Sequence, residues 1–188
     1  MGHREMLLAA ARRCLVERGY ARTTARDLVA ASGTNLASIG YHFGSKEALL
    51  AQALGDVFVE YTEKVVATAR AAGTGASDPG QVVTAAWTAM TDLQQEYRPL
   101  LIAFVEALAQ AERNDELKTR LAAGYQEMRT KITEHVLTLA DLGEDTARAI
   151  ASFFMAVSDG YMIQWLLDVD ATPAGADLLS AARLVLNA

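Results

Sequence analysis

Three observations predict an all-α fold. The 188 residues contain only three prolines. Apolar side chains recur at three- and four-residue spacing, and β-branched residues rarely run together. About nine helices are expected, divided between a small N-terminal three-helix unit (residues 1–46) and a larger helical body (residues 47–188).

The first helix runs from about residue 4 to Arg18, with Met6, Leu7, Ala10, Ala11, Cys14 and Leu15 on one stripe. Gly19 is expected in a positive-φ conformation past its end, with Tyr20 folding back on Leu15. Thr24 and Asp27 have capping-box spacing for a short helix to about Ala31. Ser32-Gly33-Thr34 is a turn, and Asn35 caps a second short helix, Leu36 to about Tyr41. Ser45 caps a long helix from Lys46 to about Ala71. A small-residue loop follows, and Asp78-Pro79 opens a helix to about Glu96. Arg98-Pro99 is expected to break the pattern, so a separate helix covers about Pro99 to Glu112. Asn114 caps the next helix, which reaches about Ala140 and has Asp115 and Glu116 in its first turn, where the dipole favours them. The last two helices are Glu144 to Asp168 and a short one opened by Thr172-Pro173.

The formal net charge of -6 and pI near 5.1 count against a nucleic-acid partner. By position the picture changes. Residues 1–50 carry seven Lys or Arg against four Asp or Glu, a net +3, whereas the remaining 138 residues carry ten against nineteen, a net -9. Such a sign asymmetry points to two tasks in one chain. No stretch is expected to span a membrane, and no secretory signal is read. The single Cys14 excludes an internal disulfide or a cysteine metal cluster and is assigned to the core. A cytoplasmic protein without metal or cofactor is expected. The histidines at 3, 42 and 135 lack metal-ligand spacing, and neither a serine in a glycine elbow nor a phosphate-cradling loop is present, so an enzyme is disfavoured.

Two short helices around a glycine turn form a helix-turn-helix candidate in the basic segment. Such a motif lays its second helix in the major groove. Here that helix, from Asn35 to Tyr41, is expected to expose slim residues (Ala37, Ser38, Gly40) to base edges. Tyr41, His42 and Lys46 follow as donors to phosphate oxygens. Lys46 in the first turn of a helix opposes the dipole, a placement that suits a docking anion.

Arg18-Gly19-Tyr20, Thr23-Thr24, Ala31-Ser32-Gly33 and the run Tyr41-His42-Phe43-Gly44-Ser45-Lys46-Glu47-Ala48-Leu49-Leu50 together resemble the N-terminal domain of TetR-family transcriptional regulators. Asp159-Gly160-Tyr161 and Gln164-Trp165-Leu166-Leu167-Asp168 are similar to a penultimate helix of that family. The resemblance implies a homodimer whose subunits each join a three-helix DNA-binding domain to a helical ligand-binding and dimerisation domain. It assigns phosphate contacts to Thr24, Tyr41 and Lys46, and base-facing positions to Arg26, Leu36, Ala37 and Ser38. Many members carry tyrosine where this chain has Gly40.

In the acidic body, the helix from Glu144 to Asp168 has two apolar stripes, one for its own core and one for a second copy. Met155, Met162, Leu166, Leu178, Ala182 and Val185 are the expected dimer contacts. Trp87, Met90, Phe104, Tyr125, Met128, Phe153 and Tyr161, with Glu106 as a polar group, are candidate ligand contacts between helices, each also compatible with plain core. His135 fits a core histidine as well as a contact, and Asp159 fits a bond across the dimer. The expected function is a repressor that binds a palindromic DNA operator and is released by a small, mostly apolar or aromatic effector. The alternatives are a helical small-molecule carrier without DNA binding and an all-α enzyme.

Overall fold

The computed structural model describes residues 2–73, 79–139 and 141–173, together with 177, 178, 180, 181 and 184. It contains α1 (His3–Arg18), α2 (Ala25–Ser32), α3 (Leu36–Phe43), α4 (Lys46–Gly73), α5 (Pro79–Ala111), α6 (Asp115–Leu139) and α7 (Glu144–Leu167). Among the described residues there is no strand. Helical backbone recurs at 177, 178, 180, 181 and 184, where a short terminal helix is expected. Its residues Leu179, Ala182, Val185 and Leu186, and the cap Asp78, lie outside the described residues.

The chain forms two compact units, Met1–Val59 with Tyr97–Glu127, and Glu60–Glu96 with Met128–Ala188. Helices α4, α5 and α6 each contribute to both. In the first unit the α1 stripe is buried through Leu7, Ala10, Ala11, Cys14 and Leu15, together with Leu28, Ile39, Leu49, Leu50 and Leu54. Each fully buried leucine contributes about 1.5–3 kcal/mol relative to exposure. Cys14 sits in this core as a free thiol whose pKa is raised chiefly by burial.

Caps set the short elements. The α1 terminus closes with Gly19 N–H donating to Leu15 O at 3.0 Å, and Gly19 adopts φ 80°, ψ 176°, a region reserved for glycine. Tyr20 is buried beyond it. At α2, Asp27 N–H donates to Thr24 Oγ1 at 3.2 Å, while the Thr24 N–H donates to Asp27 Oδ2 at 2.9 Å. Asn35 Oδ1 accepts from Ser38 N–H at 2.9 Å at the start of α3. Gly33 between them is left-handed at φ 69°. Ser45 Oγ accepts from Ala48 N–H at 2.9 Å and opens α4.

One expected break does not occur: α5 continues through Pro99. An interior proline removes a hydrogen bond and crowds the preceding turn, at about 3 kcal/mol. Gln94, Tyr97, Leu100, Leu101, Ala103 and Phe104 are all buried around it, and burial of that stripe outweighs the local penalty.

In the second unit, Ala147, Ala151, Met155, Tyr161, Met162 and Trp165 form the buried face of α7. Met155 and Met162, expected to face a partner copy, are thus buried within their own unit. The exposed apolar side chains of α7 are Ile150, Phe153, Ile163 and Leu167. Spacing alone cannot tell which of two apolar stripes turns inward. A second correction concerns membranes: α7 is long and apolar enough to cross one by length and composition, although no such stretch was expected. Its buried face is also that of a core helix.

Candidate nucleic-acid interface

The interface candidate lies in the first unit, on α2, the Ser32–Thr34 turn and α3. Burial of Leu28 on α2 and of Ile39 and Phe43 on α3 fixes which sides face inward. What remains outside is a row of unequal side chains. Tyr41 is 85% exposed and Leu36 57%. Ala37, Gly40, Asn35, Thr24 and Arg26 are exposed as well. A tyrosine this exposed gains nothing from burial, so packing does not explain it. His42 is half-buried, its ring edge-on to Tyr41 with centroids 4.8 Å apart. Arg4 of α1 lies over the Phe43 ring at 5.5 Å and adds a cation beside this surface.

Two expected contacts sit differently. Ser38, expected among the exposed slim residues, is 8% exposed. Its hydroxyl donates to Asn35 Oδ1 at 3.2 Å and lies 3.3 Å from His3 Nδ1. The N-cap turn draws it inward, since Asn35 bonds both its N–H and its hydroxyl. Lys46 is half-buried: Nζ donates to Thr23 O at 3.1 Å and pairs with Glu47 Oε1 at 3.3 Å. These acceptors offset the cost of a cation at the first turn of α4 and hold the ammonium against the entry to α2.

Carboxylates set the electrostatics behind this surface. Asp27 accepts from both Thr24 groups, which hold its carboxyl below the usual carboxylate range. Glu106 of α5 reaches the turn between α1 and α2, where Ala21 N–H donates to its Oε2 at 3.0 Å. The approach is close enough that a Cβ on Gly19 would stand 2.7 Å from that oxygen. Glu116 of α6 accepts from Ser45 Oγ at 2.9 Å. Two carboxylates therefore hold two turns of the three-helix head. Tyr20 lies buried nearby, its pKa pushed up to about 12 by burial, then by Glu47 and Glu116. Sequence reasoning missed Glu116: its helix-start position is legible, but a partner 71 residues away is not. Glu106 was singled out as a ligand contact, and its carboxylate is engaged at Ala21.

The other candidates fall into two groups. In the first unit Phe104 meets Phe58 at 4.5 Å and Tyr125 at 6.0 Å. In the second, Trp87 meets Phe154 at 5.2 Å and Tyr161 at 5.8 Å, beside buried Met90, whose carbonyl accepts from Tyr61. Met128 and Leu166 are half-buried, as is Leu178, and Phe153 is exposed. Phe154 was not among the expected ligand contacts.

Bacterial regulatory proteins of the TetR family match residues 7–53. The C-terminal domain of BetI-type transcriptional repressors matches residues 79–185. No curated protein matches the chain. Among solved structures, the multidrug binding protein EbrR complexed with imidazole is 26% identical with a TM-score of 0.69, over 100% of this chain and 94% of that one. A TetR-family regulator from Rhodococcus sp. (20% identity, TM-score 0.70, 97% of each chain) is similar in fold. So is the TetR-family repressor AlkX from Dietzia sp. strain DQ12-45-1b (14%, TM-score 0.68, 97% of this chain and 92% of that). The glycine-turned helix pair, its exposed tyrosine and lysine-headed α4 occur within the first match, and the second covers more than half of the sequence: the chain belongs to the TetR family of bacterial transcriptional regulators.

Proposed function

We propose that this regulator is a repressor that binds a palindromic operator as a homodimer and is released by a small, mostly apolar or aromatic effector. Residues 1–46 read the DNA; residues 47–188 pair the subunits and take the effector. The observation that carries the reading is the outward row of Leu36, Ala37, Gly40 and Tyr41 on α3, within a segment of net charge +3. Leu36 and Ala37 with Arg26 face bases. Thr24, Asn35, Tyr41, His42 and Lys46 serve phosphates. Ser38 shapes the start of α3 from beneath and meets bases only if its contact with His3 opens. The match to a repressor-type C-terminal domain supports repression.

Dimerisation sets two reading helices one turn of DNA apart, about 34–36 Å. Its surface is the exposed row Ile150, Phe153, Ile163 and Leu167 of α7, an apolar strip that water disfavours. The effector is taken by the aromatic cluster of Trp87, Phe154 and Tyr161. Because α4, α5 and α6 run through both units, a rearrangement around that cluster reaches the head along continuous helices. Release requires that the effector bind the DNA-incompetent state better; equal affinity for both states shifts nothing. Acting on bacterial genes, the protein works in the cytoplasm, as a binding protein and not a catalyst.

A salt series of duplex binding tests the reading. Several phosphate contacts should make affinity fall steeply as salt rises. Micromolar protein that retains no duplex at low salt would remove it in favour of a carrier without DNA binding.

A further inference from the structure

The hydroxyl and amide groups at the start of α3 answer one another. In the turn before it, Ser32 Oγ and Thr34 Oγ1 share a hydrogen bond of 2.7 Å. Asn35 Oδ1 accepts from the Ser38 N–H at 2.9 Å and from the Ser38 hydroxyl at 3.2 Å. Reading an adenine takes the oxygen and the nitrogen of one amide together, so an asparagine whose oxygen is engaged is not suited to it. Ser38 gives its one hydroxyl proton to Asn35 and meets His3 Nδ1 with its oxygen at 3.3 Å. The residue is buried, and the ring against it comes from α1, 35 positions away.

What α3 presents outward over its first turns is apolar. Leu36 is more than half exposed, and Ala37 and Gly40 are exposed beside it on the same side of the helix. A Cβ at Gly40 would meet nothing within 4 Å, so the chain's own packing does not demand glycine there. The missing side chain lets a base edge come close. Along the major groove, bases offer hydrogen-bonding groups and one apolar group, the C5 methyl of thymine. The net charge of +3 on residues 1–50 draws in phosphates of any sequence. The outward face of Leu36, Ala37 and Gly40 has no side chain to pair with an amino or carbonyl edge, and it fits the methyl.

We infer that α3 selects its operator by thymine methyl groups packed against Leu36 and Ala37, and that His3 sets this chemistry by keeping Ser38 out of the groove. The inference rests on the DNA reading proposed above. His3 is a positioning residue, because it acts on base preference through Ser38.

The test recovers duplexes from a random-sequence pool with the full chain, then remakes a recovered duplex with deoxyuridine for one thymidine at a time. Uracil keeps every hydrogen-bonding group and phosphate and lacks only the methyl. At one or two positions in each half-site it should lower affinity about three- to tenfold, the worth of one buried methyl. Leu36→Ala should abolish the penalty at one of these positions and melt like the parent, since the side chain is exposed. Selection with His3→Ala should return a different base preference, and adding Ser38→Ala should restore the parent's. Ser38→Ala alone should leave the preference unchanged. A recovered duplex indifferent to uracil at every thymine, or a penalty untouched by Leu36→Ala, would overturn the inference while DNA binding stands. So would a preference that His3→Ala leaves alone or that Ser38→Ala alone shifts. A parent that retains no duplex at low salt removes the proposed function and this inference together.

Discussion

The two units are held together by different means. In the first, short helices of eight residues are set by local caps, and carboxylates from α5 and α6 bond their turns. In the second, aromatic rings and the buried face of α7 dominate. Among the described residues, buried polar atoms without a hydrogen-bond partner occur in both, Tyr20 Oη in the first and Gln94 Oε1 and His135 Nε2 in the second. A reading head must keep its surface rigid, because a base contact is lost when a turn drifts. In the proposed function, an effector-binding unit must keep two packings close in energy, which non-directional aromatic contacts allow more readily than hydrogen bonds that each hold one turn.

The largest expected effect separates reading from folding. Tyr41→Ala should lower operator affinity by about ten- to a hundredfold, the worth of a hydrogen bond to a charged phosphate. Its thermal midpoint should stay that of the parent, since the side chain is exposed. A melt that falls with affinity would mean Tyr41 belongs to the packing and not to the surface.

Next comes the carboxylate hold on the head. Gly19→Ala puts a side chain at φ 80° and pushes its Cβ onto Glu106. It should cost about 1–3 kcal/mol, read by chemical denaturation. Glu106→Ala, which frees Ala21 N–H, should make the subsequent Gly19→Ala change less costly. Strict additivity of the two would show that they do not share the contact.

Pro99→Ala sharpens the comparison from the other side. Restoring the missing backbone bond in α5 should stabilise the chain by about 1–3 kcal/mol, less than the full proline penalty because the turn has already adapted. A neutral result would mean that the parent α5 already satisfies the freed Gln95 carbonyl.

The smallest effects are in pH. His135 has a folded pKa below its unfolded value of about 6.5. The unfolded chain therefore takes up a proton that the folded chain refuses. Its contribution is complete above about 6.5 and is lost as pH falls toward the lower folded pKa. Asp27 behaves likewise in a more acidic window, below about 3.8, because Thr24 hydrogen bonds stabilise its charge. His135→Phe should remove the slope just below neutrality and leave the acidic one; Asp27→Asn should do the reverse. Matching curves for both variants would contradict the assignment of one window to each unit.

Much of the first unit is legible along the chain because its information is local. Thr24 with Asp27, Asn35 with Ser38, and Ser45 with Ala48 are each three residues apart, within the reach of one helical turn. The same locality misled at Ser38, where spacing names the helix position but not the His3 ring that covers it. The sensing candidates were less legible. Aromatic residues on separate helices share no spacing, so the periodicity that sets Phe154 on an apolar stripe of its helix does not reveal its contact with Trp87, and exposed Phe153 stands among the expected ligand contacts instead.

The helical class, the capped turns, the basic head and the family resemblance are written in neighbouring residues and their order. It takes the packed chain to show that α5 runs through Pro99, that Met155 and Met162 turn inward, that Glu106 and Glu116 hold the head, and that His135 Nδ1 accepts from Arg70 Nε. Each of these depends on burial or on a partner many residues away. Local propensity of about 1 kcal/mol per residue yields to packing terms several times larger.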